Sequence, residues 1–432
     1  MKVLIVGNGA REHVVAEAVA KDAELYAVMS NKNPAIARLA KKHWVCDIEN
    51  AEEVRKTIAG ENFDIGFSSP DATLAAGVSD VLQELGMAVA SPTKKASRIE
   101  WDKSYARNLM KEKDIPGLPE FKVVSSEREA KSVIDEIGEV VVKPIGLTGG
   151  KGVKIMGEHL NTETANEYAA RLMEKDGSVL LEERLNGEEF TLQAFCDGEH
   201  IVFMPPVQDH KRAFTDDKGP NTGGMGSYST GENLPFLEKS DLEKAEEIMR
   251  KTMDAMGKEG NPYKGILYGQ FMATKKDVKV IEFNARFGDP EAMNVVPLVK
   301  GSFTEILRSM AEGNLGKIEF SNESTVVKYL VPEGYPTDSK KDAEVSVNGG
   351  ELGEISVKVY YASVYEKDGK IYTTGSRTFG ILGMAENVEE AERKSEEGCR
   401  SASGPVWYRK DIGTRHLIEK RIMHMRELRG AG

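Results

Sequence analysis

Only three of the 432 residues are cysteine, and Cys46, Cys196 and Cys399 lie far apart. That excludes a disulfide framework and a zinc site, leaving buried free thiols as the reading. No stretch approaches the roughly 18 apolar residues of a membrane span, and the N-terminus enters a strand at once without a basic leader. A soluble, cytoplasmic protein with no membrane partner is expected. Positive charge is also scarce: 58 Lys and Arg face 70 Asp and Glu, for a net charge of −12. Nucleic-acid partners are disfavoured, because phosphate backbones are met by clustered Lys and Arg. A small anionic ligand needs only local positive charge and stays allowed. At this length a single core is too little, and three or four units are expected.

Glycine is plentiful, at 42 residues, and concentrates in a few loops. The first, Gly7-Asn8-Gly9-Ala10-Arg11-Glu12-His13, follows the strand Lys2 to Val6, but Glu12 replaces the third glycine of a dinucleotide fingerprint. The second strand also ends at Met29-Ser30, without an acidic ribose ligand, which argues against a nicotinamide cofactor. What survives is a strand, a tight turn and a helix N-terminus suited to a substrate phosphate, or simply to close packing. The second loop, Gly146 to Gly152, follows Lys143 and lacks the Gly-Lys-Ser/Thr order of a P-loop. Its four glycines would let N–H groups close over a polyphosphate as a mobile lid, with Lys151 adding charge.

Alternating β and α patterns over residues 1 to about 92, including Ala72 to Leu85 as one helix, predict an open parallel α/β domain. A helix from Pro92 to about Lys113 and a second α/β unit from Phe121 to about Arg184 follow. From Glu188 to about Gly313 the pattern becomes antiparallel, with hairpins near Asp197-Gly198 and Lys276 and a charged helix from Ser240 to about Lys258. Beyond Asn322 come short strands, a hairpin at Lys367 to Lys370, and helices near Val388 to Ser401 and Arg415 to Arg426.

The densest chemistry lies in Glu282-Phe283-Asn284-Ala285-Arg286-Phe287-Gly288-Asp289-Pro290-Glu291, directly after an apolar strand. Residues two apart on a strand share a face, so Glu282 and Asn284 point together as hard ligands of the kind Mg²⁺ prefers. A turn centred on Lys276 would set Gln270 opposite Glu282 as a third candidate. The segment Leu180 to Glu189 reads as a strand and a turn, in which backbone groups could hold adenine and Glu189 a ribose. In the stretch Gln208 to Arg212, Lys211 and Arg212 could meet phosphate and Asp209 an amine, whereas His210 reads as a structural histidine.

The order of Lys103, Lys143, the 146 to 152 loop, Glu182-Glu183, Glu189, Glu282 and Asn284 resembles an ATP-grasp enzyme. Across nearly the whole chain it is similar to the phosphoribosylamine-glycine ligase family, chiefly in Gln208 to Arg212, Gly219 to Gly226 and Arg286 to Glu291. It departs from that family in Ser69-Pro70-Asp71, Ser91-Pro92-Thr93 and Thr374-Gly375-Ser376-Arg377.

The resemblance implies an α/β and α+β multidomain chain. Residues 1–100 would form a Rossmann-like substrate domain, 101–318 a two-lobed ATP-grasp domain with a lid lobe at about 120–187, and 319–432 a small β-rich domain. It implies ATP with Mg²⁺ or Mn²⁺ as cofactors, glycine and 5-phosphoribosylamine as substrates, and a monomer or weak homodimer. By the same analogy, ATP is met by Lys103, Lys143, Gly149, Gly150, Lys151, Glu182, Glu183, Leu185, Glu189 and Lys211. The metal would be held by Gln270, Glu282 and Asn284, and the substrates by Gly9, Arg11, Glu12, Asp209, Asn221, Arg286 and Asp289. Arg286, Lys143 and Asp209 would carry the chemistry.

Overall fold

The structure, a computed structural model, describes residues 1–148, 152–348 and 357–430. Its N-terminal sheet is parallel, in the order β3-β2-β1-β4-β5, from β1 (Lys2–Val6), β2 (Glu24–Met29), β3 (Lys42–Val45), β4 (Ile65–Ser68) and β5 (Ala88–Val89). Val3 to Val6 are fully buried, as a strand covered by helices on both faces must be. Strand β3 was not expected, because the edge segment Lys-His-Trp-Val carries no apolar run. The helix expected over Ala72 to Leu85 is two helices, Asp71–Ala76 and Val78–Glu84, broken at Gly77 with φ at +90°. Likewise the stretch from Pro92 becomes helical only at Arg98–Trp101 and breaks at Asp102, whose side chain accepts from the Tyr105 N–H and caps Lys103–Glu112.

The next lobe carries β6 (Phe121–Val124), β7 (Val140–Lys143), β8 (Lys154–Ile155) and β9 (Val179–Glu183) in the order β6-β9-β7-β8. The expected α/β alternation is present, but every neighbouring pair is antiparallel, because β9 inserts between β6 and β7. Helices Glu127–Ile137 and Thr162–Asp176 complete a core of its own, built on Val133, Ile134, Val142 and Leu181.

The floor of the molecule's main cleft is a second antiparallel sheet in the order β11-β10-β16-β17. Its strands are β10 (Gly187–Asp197), β11 (Ile201–Phe203), β16 (Lys264–Thr274) and β17 (Val278–Asn284), backed by the helix Lys239–Lys258. Between β11 and β16 run four short strands: β12 (Gln208–Asp209), β13 (Arg212–Phe214), β14 (Lys218–Asn221) and β15 (Gly226–Ser229). Strands β12 and β15 join β18 (Ser324–Pro332) and later strands in one six-stranded sheet, so this sheet crosses residue 318. A last helix, Arg415–Arg429, turns back to pack on β10. No helix among the described residues is long and apolar enough to cross a membrane.

Candidate active site

Strand pairing sets the floor of a cavity of about 900 Å³. Gln270 lies opposite Glu282, Tyr268 opposite Asn284, and Thr191 opposite Gln270, so these side chains share one face. Nearer the turn the register is offset by one residue, with Phe271 opposite Val280, and Ile281 forms the bulge. A bulge leaves a residue outside the ladder and turns its carbonyl elsewhere. The Ile281 carbonyl accepts from Lys143 Nζ at 3.1 Å and from Arg107 Nη2 at 2.7 Å.

Glu282 and Asn284 line the cavity with no hydrogen bond or ion pair to another side chain among the described residues. Burial pushes the Glu282 carboxyl up, but Lys211, Lys103, Lys143 and Arg286 outweigh it and hold the group below its usual range. An ionised, half-buried carboxylate and a buried amide oxygen, facing one cavity, fit a hard divalent cation. Gln270 fits less well: its Oε1 accepts from Lys211 at 2.6 Å and its Nε2 donates to Glu189 at 2.7 Å. Here it bridges Lys211 and Glu189.

Lys143 ends β7 and reaches Glu182 Oε2 at 2.6 Å. Glu182 is buried and doubly gripped by Arg107, at 2.5 Å and 3.2 Å, and Arg107 also caps the Val280 carbonyl. The Glu182 carboxylate is thus committed within the fold, which leaves the expected adenine contact, made by backbone groups of this segment, untouched. Glu183 instead accepts from the Glu120 N–H at 2.9 Å, leaving the backbone of 183 to 186 and Leu185 on the cavity wall. Lys103 Nζ donates to the Gly146 carbonyl at 2.9 Å, while burial lowers its pKa against the pull of Glu282. Gly149, Gly150 and Lys151 lie outside the described residues. Arg212, for which phosphate was considered, ion-pairs with Glu158 of the β8 lobe, as does Arg184. We expect Arg107→Ala to cost about 3 kcal/mol of stability, the scale for breaking a buried ion pair, measured by denaturant unfolding.

Across the cleft, Asp209 sits on β12 under Gly224, where a Cβ would come within 2.7 Å of its Oδ1. Burial, then the Glu291 carboxylate, push the Asp209 pKa well up. Glu291, which sequence reasoning left without a role, accepts from Tyr268 Oη at 2.8 Å. His210 has both ring nitrogens buried without a partner, and burial lowers its pKa to about 3, as for a neutral structural histidine.

Arg286 pairs with Glu100 at 2.8 Å, and its Nε is buried without a hydrogen bond. Burial outweighs that arginine and pushes Glu100 up to about 7. Between its ordinary 4.5 and about 7 the folded protein thus holds a proton that the unfolded chain has lost. Stability must fall as pH rises through this window. Melting curves for Glu100→Gln should lack that slope.

Two substrate candidates are already engaged. Asp289 accepts from Tyr329 Oη and pairs with Arg377 at 3.0 Å, and Arg377 also donates to the carbonyls of Gly223, Gly224 and Asp289. Asp289 therefore anchors the 286 to 291 loop to the C-terminal strands. Glu12 accepts from the Gly9 N–H at 2.6 Å and from Arg11 Nε at 2.8 Å, so it fills the helix N-terminus where a phosphate was expected. Neither Gly9 nor Glu12 lines the cavity, whereas Arg11 and Asn221 do. Arg11 also donates to the Phe287 carbonyl at 3.0 Å. Glu100, Asp71 and Arg377 also line the cavity without having been named as site residues; Asp71 and Arg377 stand in segments compared with the family, Glu100 in none.

The geometry has counterparts among known proteins. Residues 1–100, 101–292 and 325–415 match, in turn, the N domain, the ATP-grasp (A) domain and the C domain of phosphoribosylglycinamide synthetase. A phosphoribosylamine–glycine ligase of Methanosarcina barkeri is 50% identical over 438 residues, covering 100% of both chains. One of Pyrococcus furiosus is 48% identical, covering 100% of this chain and 98% of its own. The crystal structure of a phosphoribosylamine–glycine ligase from Thermotoga maritima superposes with a TM-score of 0.83 at 30% identity, covering 95% of this chain and 100% of that one. With three domain matches in the family's order, relatives alike from end to end, and a cleft built on the ATP-grasp floor, the chain belongs to the phosphoribosylglycinamide synthetase family.

Proposed function

We propose that the chain joins glycine to 5-phosphoribosylamine with ATP, giving glycinamide ribonucleotide, ADP and phosphate, a step of purine biosynthesis leading to IMP. The observation that carries this reading is one cleft in which Glu282 and Asn284, without a side-chain partner among the described residues, lie among Lys103, Lys143, Lys211 and Arg286, with Asp209, Arg11 and Arg377 also lining it. A divalent cation, Mg²⁺ or Mn²⁺, held by Glu282 and Asn284, would neutralise phosphate charge when bound.

A glycine carboxylate oxygen attacks the γ-phosphorus, the bond to ADP breaks, and glycyl phosphate forms. The amine of phosphoribosylamine then attacks the glycyl carbonyl, phosphate departs, and the amine loses a proton. No protein nucleophile is needed, because positioning and charge neutralisation lower both barriers. Lys103, Lys143 and Lys211 meet the phosphates; Arg286 steadies the acyl phosphate. Glu189 and the 182 to 185 backbone receive the nucleoside. Asp209, its basicity raised by burial and Glu291, is placed to take the amine proton.

ADP release assayed with each substrate omitted in turn tests the reading. Release should require both glycine and phosphoribosylamine, and equal rates with bicarbonate or formate in place of glycine would overturn it. Arg11→Ala should raise KM for phosphoribosylamine about tenfold with kcat nearly constant, the mark of lost uniform binding. An unchanged KM would return Arg11 to its packing contacts with Glu12 and Phe287.

A further inference from the structure

The C-terminal helix Arg415–Arg429 places Lys420, Arg421 and His424 on the wall of the cleft, a contribution no sequence motif announced. Two of them converge on one buried carboxylate. Glu188, with a side chain 6% exposed, lies 2.6 Å from His424 Nδ1 and 3.2 Å from Arg421 Nε. Arg421 also pairs with Asp217, which is held at 3.1 Å by buried Arg409. The far end of the helix is fastened separately, by Arg429 on Asp241 at 2.7 Å.

Glu188 directly precedes Glu189 on β10. The helix holds the start of β10 through Glu188, and the next residue, Glu189, accepts from Gln270 at 2.7 Å, all of them lining the same cleft. A buried carboxylate without partners would protonate or draw the strand toward water. Burial does push Glu188 upward, and Arg421 and His424 oppose it.

We propose that Arg421 and His424 are positioning residues for the nucleotide: through Glu188 they fix the start of β10 so that Glu189 meets the ribose of ATP. This rests on the reading that the nucleoside lies against residues 182 to 189. A carboxylate held by a guanidinium and an imidazole from one helix keeps the strand in its binding geometry before ATP arrives, which strengthens binding by removing an ordering cost.

Steady-state kinetics of the full chain test it, with KM measured for ATP, glycine and phosphoribosylamine. His424→Ala and Arg421→Ala should each raise KM for ATP on the order of tenfold, about 1.4 kcal/mol. The other two KM values and kcat should stay within about twofold. Arg421→Lys should recover most of the loss, and Arg429→Ala should lower the melting temperature without moving KM for ATP. Unchanged KM for ATP in both alanine variants, a parallel rise in all three KM values, or the same rise in Arg429→Ala would overturn the proposal. If Arg421→Ala does not fold, Glu188→Gln must show the ATP-selective rise instead, and its absence counts against the proposal equally. Glu189→Ala separates the underlying reading: an unchanged KM for ATP there would place the ribose elsewhere and remove the basis of the proposal.

Discussion

Glu282→Gln is expected to fold normally, bind ATP in the absence of divalent cation at least as tightly as the parent, and turn over about a hundredfold more slowly or worse. The substitution is nearly isosteric, and the parent side chain makes no hydrogen bond among the described residues that the fold would miss. What it removes is the negative charge among Lys211, Lys103, Lys143 and Arg286. With that charge gone the cleft is more attractive to a polyphosphate, yet would be less able to hold a divalent cation beside it. Isothermal titration with and without Mg²⁺, alongside kcat at saturating Mg²⁺, separates the two effects. Near-normal turnover would remove Glu282 from the metal site.

Lys143→Ala is expected to lower kcat about a hundredfold. Its effect on stability should be smaller than that of Arg107→Ala. The contrast follows from how Glu182 is shared. Arg107 holds both carboxylate oxygens and two backbone carbonyls, so Glu182 remains compensated when Lys143 is lost. The ammonium of Lys143, by comparison, stands at the cavity wall, where in the proposed reaction it would meet phosphate charge. Urea unfolding and steady-state kinetics on both variants should rank them in opposite orders. The same order in both assays would show that Lys143 acts through the fold alone.

Local patterns carried the fold a long way. The parallel N-terminal sheet, the β16–β17 hairpin and the long helix over 239–258 all follow from apolar periodicity and turn residues. Even the pairing of Gln270 with Glu282 was legible, although the pairs beside the turn are offset and the Ile281 bulge restores the register. The insertion of β9 between β6 and β7 was not, because strand order is settled by long-range packing that periodicity does not record.

Side-chain commitments were the least legible. Glu12 and Asp289 sit in motifs rich in binding groups, and only the folded chain shows Gly9 and Arg11 holding one, and Tyr329 and Arg377 the other. Glu100 stands in a helical stretch with no motif around it, yet it reaches Arg286, 186 positions later, and accepts from the Ala285 N–H. The C-terminal helix showed its periodicity but not its destination.

The joint at Glu182 has a mechanical consequence. The β6–β9 lobe meets the floor at a buried junction, where Arg107 ties Glu182 to the backbone of Val280 and Ile281. It is also joined through the partly exposed pair Glu158–Arg212. Water and salt weaken the outer contact far more than the inner one. Any swing of the lobe is therefore that of a lever with its fulcrum at Glu182: the outer edge travels, while Lys143, close to the pivot, keeps its distance from the floor.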